Sequence, residues 1–451
     1  MDKATNVGFQ RYENYRYSGV EWLGDIPSGW ECHRMKRLYS DFSKKNFPLA
    51  ELLSVTQDKG VVPRSWVENR MVMPSGALES FKFIDRGDFA ISLRSFEGGL
   101  EYCHHAGIIS PAYTVLKRKR EDLKESYFKF LFKSFSFISE LQTSVVGIRE
   151  GKNISYPELS YSFLPIPSAL EQTAIARFLD EKTTKIDTAI AKKERLIQLL
   201  KERKQIIIQQ AVTKGLPAEE RTKAGLDPNV KMKDSGVEWI GEIPEHWEVS
   251  KLGFYSKKIL TGPFGTQLHS HEYIDGGIPV INPSHIINGK IIPDNSQTIS
   301  DNKFKELFQH ELRVGEIVFG RRGEMGRCAL VSGYYETMIA GTGSIKLTLD
   351  TTKLCPEYLS TYLQIESVKS WFSLNSVGST MENLNAEILA SLPIVTLPVH
   401  EQKLVMKYIE FQSSKIDQSI SLQEKQIEKL KEYKATLIDS AVTGKIKVPG
   451  V

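Results

Sequence analysis

SGVEWLGDIPSGWE, residues 18–31, returns as SGVEWIGEIPEHWE at residues 235–248, with ten of fourteen positions identical and both tryptophans kept. A second block also recurs, EQTAIARFLDEKTTKIDTAI from Glu171 and EQKLVMKYIEFQSSKIDQSI from Glu401, and the match continues to Ala211-Val212-Thr213 and Ala441-Val442-Thr443. The chain is therefore a tandem duplication of one unit. The first pair lies 217 positions apart (18 to 235) and the second 230 (171 to 401), so the second copy is 13 residues longer between shared ends. Shared ends and diverged middles suit a frame that presents two related but unequal binding surfaces.

Each copy reads as a globular segment followed by a long helix. No proline or glycine interrupts residues 171–213, and a heptad seam runs through Ile186, Ile190, Ile197, Leu200, Ile207 and Ala211. The second copy repeats it at Ile416, Ile420, Ile427, Leu430, Leu437 and Ala441, and the polar seam positions Lys193 and Lys204 match Gln423 and Lys434. Such a seam predicts a coiled coil whose polar members fix register and partner choice. Packing of each helix on its own domain is the alternative. Ser168 followed by Glu171 predicts a capping box, and a helix over residues 169–213 would be roughly 65 Å long at 1.5 Å per residue. The expected organisation is a globular segment at 1–164, a helix at 165–214, a polar linker at 215–234, a second globular segment at 235–394 and a second helix at 395–446.

The middles read as α+β. FAISL at Phe89, YTVLK at Tyr113, EIVFG at Glu316 and SIKLTL at Ser344 have strand character, while ESYFKFLFKSF at Glu125 and PEYLSTYLQIE at Pro356 read as helices at equivalent places. At 451 residues the chain has room for several cores, and 41% apolar with 25% charged residues is the composition of a globular protein. No apolar run reaches the roughly 18 residues of a membrane span, and the first twenty residues lack a signal-peptide core, so the expected location is cytoplasmic. Four scattered cysteines without CxxC spacing fit a reducing compartment and argue against a zinc site. A net charge of +4 leaves a polyanion partner to be held by local patches.

Enzymatic motifs are missing. There is no phosphate loop, no HExxH, no GxSxG and no dinucleotide-binding glycine turn. NPSH at Asn282 lacks the second proline and aromatic of an amino-methyltransferase loop. Cys103-His104-His105 and His269-Ser270-His271 have no second ligand pair and read as ordinary turn residues. What remains is polyanion chemistry on loops. TGPFGTQLHSHEY at Thr261 offers Phe264 and Thr266, and FGRRGEMGR at Phe319 offers Arg321, Arg322 and Arg327. Glycine permits close backbone approach, and arginine supplies a planar fork for phosphate or for guanine. In the first copy SLRSFEGG places Arg94 opposite Arg322. GIREGKN contributes Arg149 and Lys152, GSTMENLN contributes Thr380, and Lys117, Arg118 and Lys119 belong to the densest basic run.

With two diverged middles, LPxPxxxEQ approaches and KIDxxI helices, the chain resembles the specificity subunit of a type I restriction-modification system from Ser18 to Val448. The resemblance implies two target recognition domains, each reading half of a split DNA site, separated by two antiparallel helices. It further implies no catalytic centre in this chain. Two modification subunits would carry S-adenosylmethionine, and two restriction subunits would use ATP and magnesium. A non-catalytic coiled-coil adaptor that binds protein is the alternative, and a methyltransferase fused to its own recognition domain is disfavoured by the missing cofactor motifs.

Overall fold

A computed structural model describes residues 9–67, 77–92, 95–146, 153–333, 337–376 and 383–451. It is mixed helix and sheet, dominated by two long helices, Ala169–Lys214 and Val399–Val442. Among the described residues no helix is long and apolar enough to cross a membrane. The chain divides into two compact units, Met1–Glu194 together with Gln423–Val451, and Arg195–Leu422. Each unit therefore owns one globular segment, the start of the helix that follows it, and the end of the other long helix.

Local bonding within each unit explains this division. In the first unit Tyr127 donates its hydroxyl to the carbonyl of Val442 at 2.7 Å, and Ala441, Val442, Ile446 and Val448 enter the same core as Trp30, Phe128 and Ile175. In the second unit Tyr358 donates to the carbonyl of Val212 at 3.0 Å, and Ala211, Val212 and Leu216 pack with Trp247, Leu359 and Val405. The repeated glutamate and glutamine fasten the other helix end. Glu171 accepts from Trp30 Nε1 at 2.8 Å and from the Tyr12 hydroxyl at 2.6 Å, and Glu401 accepts from Trp247 Nε1 at 3.2 Å. Fully buried Gln172 donates to the Pro167 carbonyl and accepts from Lys124 N; Gln402 does the same with Leu397 and Cys355 N. Buried amides survive only when satisfied, which accounts for the duplicated EQ. Ser168 Oγ accepts from Glu171 N at 3.3 Å, but the expected reciprocal bond is replaced because the Glu171 carboxylate turns to the indole.

The coiled-coil seam closes inside the chain. In the first unit Ile186 and Leu437 are buried, with Ile190 and Leu430 packed against the same core, and Ile427 is buried as well. Lys434 pairs with Asp187 at 2.7 Å and Lys193 donates to Gln423 at 2.9 Å, so the two helix segments run antiparallel there. In the second unit Ile416 is buried, Ile197, Leu200 and Ile420 are half-buried, and Lys204 pairs with Asp417 at 2.7 Å. The seam residues named here are thus buried or half-buried along the helix pair. An apolar line of that width is used up by the companion helix.

Each unit holds a four-stranded antiparallel sheet. In the second the order is Ser256–Thr261, Ser344–Leu349, Ile317–Gly320, Cys328–Leu330; in the first it is Tyr39–Asp41, Thr114–Arg118, Phe89–Ile91, Glu101–Tyr102. The helix Pro356–Leu363 forms as expected, whereas the residues from Glu125 give Glu125–Leu131 and then Phe135–Thr143, because Ser134 caps a new start by accepting from Phe137 N. The second unit adds a three-stranded sheet, Thr298–Ile299, Ile278–Ile281 and Ile339–Ala340. Residues 215–234 are more than a connector. They include the helix Ala218–Lys223, whose Arg221 is buried and donates to the Asp227 carbonyl, and the strand Met232–Asp234 paired with Glu242–Pro244.

Candidate nucleic-acid interface

Strand register decides which loops meet. In the second unit Thr261 stands opposite Ile345, Gly320 opposite Ser344, and Phe319 opposite Cys328. The chain leaving Thr261, the turn between Gly320 and Cys328, and the turn entering Ser344 therefore gather at one end of the sheet. Backbone bonds tie them: Gly262 N to the Ser344 carbonyl at 2.9 Å, Arg321 N to Gly343 at 2.8 Å, and Leu384 N to Arg321 at 2.9 Å. Only glycine fits at the crossing, since a Cβ on Gly262 would lie 1.8 Å from the Gly341 carbonyl oxygen.

The loop Phe264 and Thr266 occupy is closed by Gln267, whose side chain accepts from Phe264 N at 3.1 Å. Phe264 is 58% exposed and Thr266 is exposed too. Arg322 is exposed on the neighbouring turn and makes no ion pair among the described residues. Its neighbour Arg321 is half-buried and donates Nε to the Leu384 carbonyl; burial first, then the charge of Arg322, pull its pKa down. Arg327 braces the turn, donating to the Pro283 carbonyl at 3.0 Å and meeting Glu324 at 3.4 Å. This end thus presents an aromatic ring, a hydroxyl and a free guanidinium on a rigid base, groups that stack on bases and donate to phosphate or base edges. Asn282 is a brace: its amide donates to Gln297 at 2.8 Å, and Ser344 Oγ donates to the Ile281 carbonyl at 2.7 Å. No sequence pattern signals these, because they depend on chain segments 15 and 63 positions apart.

In the first unit Ile91 stands opposite Thr114 and Asp41 opposite Leu116, so residues 42–52, Ser92 and 110–113 lead from the equivalent end. Arg94, Arg149, Lys152 and Thr380 lie outside the described residues. The basic run sits elsewhere. Lys117 and Arg118 are at the far end of the strand Thr114–Arg118, whose last residue pairs with Tyr39. Their head groups are engaged locally: Lys117 lies over the Phe42 ring, Arg118 pairs with Glu125 at 3.0 Å, and Lys119 donates to the Lys36 carbonyl at 2.8 Å. The structure therefore does not bring Arg118 and Lys119 to the loop end, whereas the head group of Lys117 reaches back to Phe42, the first residue beyond the strand there. Adjacency in sequence groups the three, and strand direction carries Arg118 and Lys119 away from the loops. Among the described residues no cluster of three or more His, Cys, Asp or Glu side chains could hold a metal ion.

Two loop-bearing sheets, each clasped by the ends of two long helices, make a duplicated scaffold. Residues 244–432 match the family model described as the type I restriction modification DNA specificity domain, and the chain is similar to type I restriction-enzyme specificity subunits. It is 21% identical over 369 residues to the type I restriction enzyme MjaVIII specificity subunit of Methanocaldococcus jannaschii, covering 81% of this chain and 80% of that one. It is 22% identical to the EcoBI specificity subunit of Escherichia coli over 68% of this chain and 63% of that one. Two solved structures share the fold at 14% identity. One, from a study of complex assembly and conformational transition of the type I R-M system, gives a TM-score of 0.64 over 92% of this chain and 98% of that one. The other, the HsdS subunit from Thermoanaerobacter tengcongensis, gives 0.52 over 93% and 98%.

Proposed function

We propose that this chain is the DNA-reading subunit of a type I restriction-modification complex. Its target recognition domains, residues 1–164 and 235–394, each read one half of a bipartite, gapped site. The observation that carries this reading is the pattern of retention. Residues that clasp the helices, Trp30 and Trp247, Glu171 and Glu401, Gln172 and Gln402, Tyr127 and Tyr358, are the same in both copies, while the loop ends of the two sheets differ. A common frame with unlike readers matches an asymmetric duplex target, in which base contacts specify and phosphate contacts position. The chain itself performs no chemistry in this reading. It recruits two modification subunits and two restriction subunits, which bring S-adenosylmethionine, ATP and magnesium.

Arg322 is the reader the exposed turn favours in the second half-site. Arg322→Ala should lose about 1–3 kcal/mol of affinity for the cognate site and relax preference at one position, with non-specific binding little changed. Fluorescence anisotropy on cognate and scrambled duplexes measures both. A uniform loss across sequences, with the salt slope lower by about one, would instead make Arg322 a phosphate contact.

Exchanging residues 31–164 for the equivalent region of a relative should change one half of the methylated site and leave the other intact. Sequencing of methylated sites from the reconstituted complex reads the outcome. A change in both halves would contradict two independent readers.

A further inference from the structure

Strand register gives the first unit a counterpart to the loop that carries Phe264. Asp41 stands opposite Leu116, which also faces Phe89, and Ile259 stands opposite Leu347, which also faces Ile317. Asp41 and Ile259 thus hold the same place in their sheets. Pairing continues past Asp41, since Phe42 N donates to the Val115 carbonyl at 2.8 Å. Five residues beyond Asp41 the first unit has Asn46, where the second unit, five beyond Ile259, has Phe264.

The tip that holds Asn46 is fixed by its backbone. Phe83 N donates to the Lys44 carbonyl at 2.7 Å and Asn46 N donates to the Glu79 carbonyl at 3.1 Å, so the chain is tied on both sides of Lys45. The Phe47 ring lies 4.9 Å from that of Phe83, and Lys44 Nζ sits 4.9 Å over the Phe47 ring. Asn46 itself has φ of +68°, in the left-handed region that asparagine tolerates better than most residues. It is exposed, and among the described residues its side-chain amide has no partner. A side chain whose backbone is already ordered meets a ligand at small entropic cost.

The exposed polar side chains of the tip are Ser43, Lys44, Lys45 and Asn46. Lysine only donates, and a serine hydroxyl rotates to suit either kind of partner. The amide alone presents an acceptor and a donor side by side in one plane. Adenine shows the complementary pair, N7 and the N6 amino group, on its major-groove edge. We propose that Asn46 reads an A·T pair in the half-site recognised by residues 1–164, through a bidentate contact to adenine. The inference rests on the DNA-reading role above. At the same register position Phe264 offers a ring without that donor and acceptor pattern, so the two copies read unlike bases there.

The test uses the full chain in the reconstituted complex. Asn46→Gly suits a left-handed backbone and removes only the amide, so it should melt as wild type does. Asn46→Asp keeps size and shape but replaces the donor with a second acceptor. Each complex methylates a random duplex library, and the methylated sites are sequenced. The half read by residues 1–164 is the one that changes when residues 31–164 are exchanged. In that half, apart from the methylated base itself, wild type should favour A·T by about tenfold or more at one position. Asn46→Gly should reduce that preference to about twofold or less, and Asn46→Asp should turn it toward C·G, because a carboxylate accepts from cytosine N4. The other half should stay as it is in all three. Undiminished A·T preference in Asn46→Gly would show that Asn46 serves its backbone conformation alone, and would overturn the inference while leaving DNA reading by this chain intact. If Asn46→Gly melts early, Asn46→Asp decides, and A·T preference kept there overturns it equally. A wild type that selects no bipartite site would remove the DNA-reading role and this inference together.

Discussion

Trp247→Ala should lower the unfolding free energy of the second unit by about 3–5 kcal/mol, the usual cost of emptying a fully buried tryptophan site. The indole is 1% exposed and packs with Ala211, Val212, Ile243 and Leu252. It does two jobs. Its ring edge faces the end of the first long helix, where a Cβ on Gly215 would lie 3.1 Å from Cη2, and its Nε1 donates to Glu401 near the start of the second. Gly215 has φ of +86°, so the chain turns there in a conformation that favours glycine, directly against the ring. Removing the indole opens a cavity between two helix ends and strands the buried Glu401 with His246 as its remaining partner. Urea unfolding followed by circular dichroism measures the loss. Trp247→Phe keeps much of the packing but not the hydrogen bond, and should cost clearly less. A loss below about 1 kcal/mol for the alanine variant would mean that the repeated tryptophan does not join the helices to the globular segment.

Lys133→Met should cost the first unit about 3–5 kcal/mol at neutral pH, because it leaves a buried carboxylate without its cation. The Glu101 side chain is fully buried, and both its oxygens lie 2.8 Å from Lys133 Nζ, which also donates to the carbonyl of Gly98 at 2.8 Å. The pair thus anchors the foot of the turn that leads from the loop end of the first sheet. Burial pushes Glu101 from 4.5 up to about 6 even though the lysine pulls the other way. The folded state therefore holds this proton more tightly than the unfolded chain does. Stability from Glu101 is fully present below about pH 4.5 and declines as pH rises to about 6, by roughly 2 kcal/mol, after which it is flat. In Lys133→Met the window should keep its lower edge near pH 4.5, extend upward and deepen, so that the variant suffers far less at pH 5 than at pH 8. Glu101→Gln should erase the window. Unfolding free energies of the three proteins from pH 4 to 8 give the curves; a Lys133→Met penalty independent of pH would show that lost packing of the lysine stem, not the stranded charge, is responsible.

Much of the scaffold was legible because it is local or periodic. The seam from Ile186 to Ala211 obeys a heptad, the strands at Phe89, Thr114, Ile317 and Ser344 are β-branched or aromatic runs between turns, and the long helix reads through without proline or glycine. The interface was legible only where residues share a turn. The glycines around Arg321 and Arg322 mark their turn, whereas charge density alone singles out Lys117, Arg118 and Lys119, of which Arg118 and Lys119 lie at the far end of the strand Thr114–Arg118. Gln267, Asn282 and Ser344, which hold the loop end together, carry no local signal at all.

By itself the sequence determined that one unit was duplicated, that each copy ends in a long amphipathic helix, and that the two middles could differ while their ends could not. Repetition and period are properties of the order of residues and need no coordinates. Only the tertiary structure decided that the copies do not fold as they are written. Each globular segment clasps the beginning of its own helix and the end of the other, through Tyr127 with Val442 and Tyr358 with Val212. The physical reason is that an antiparallel helix pair brings the start of one helix beside the end of its companion. Buried hydroxyls and indoles then bond with whatever chain is near in space, and sequence separation has no bearing on that choice.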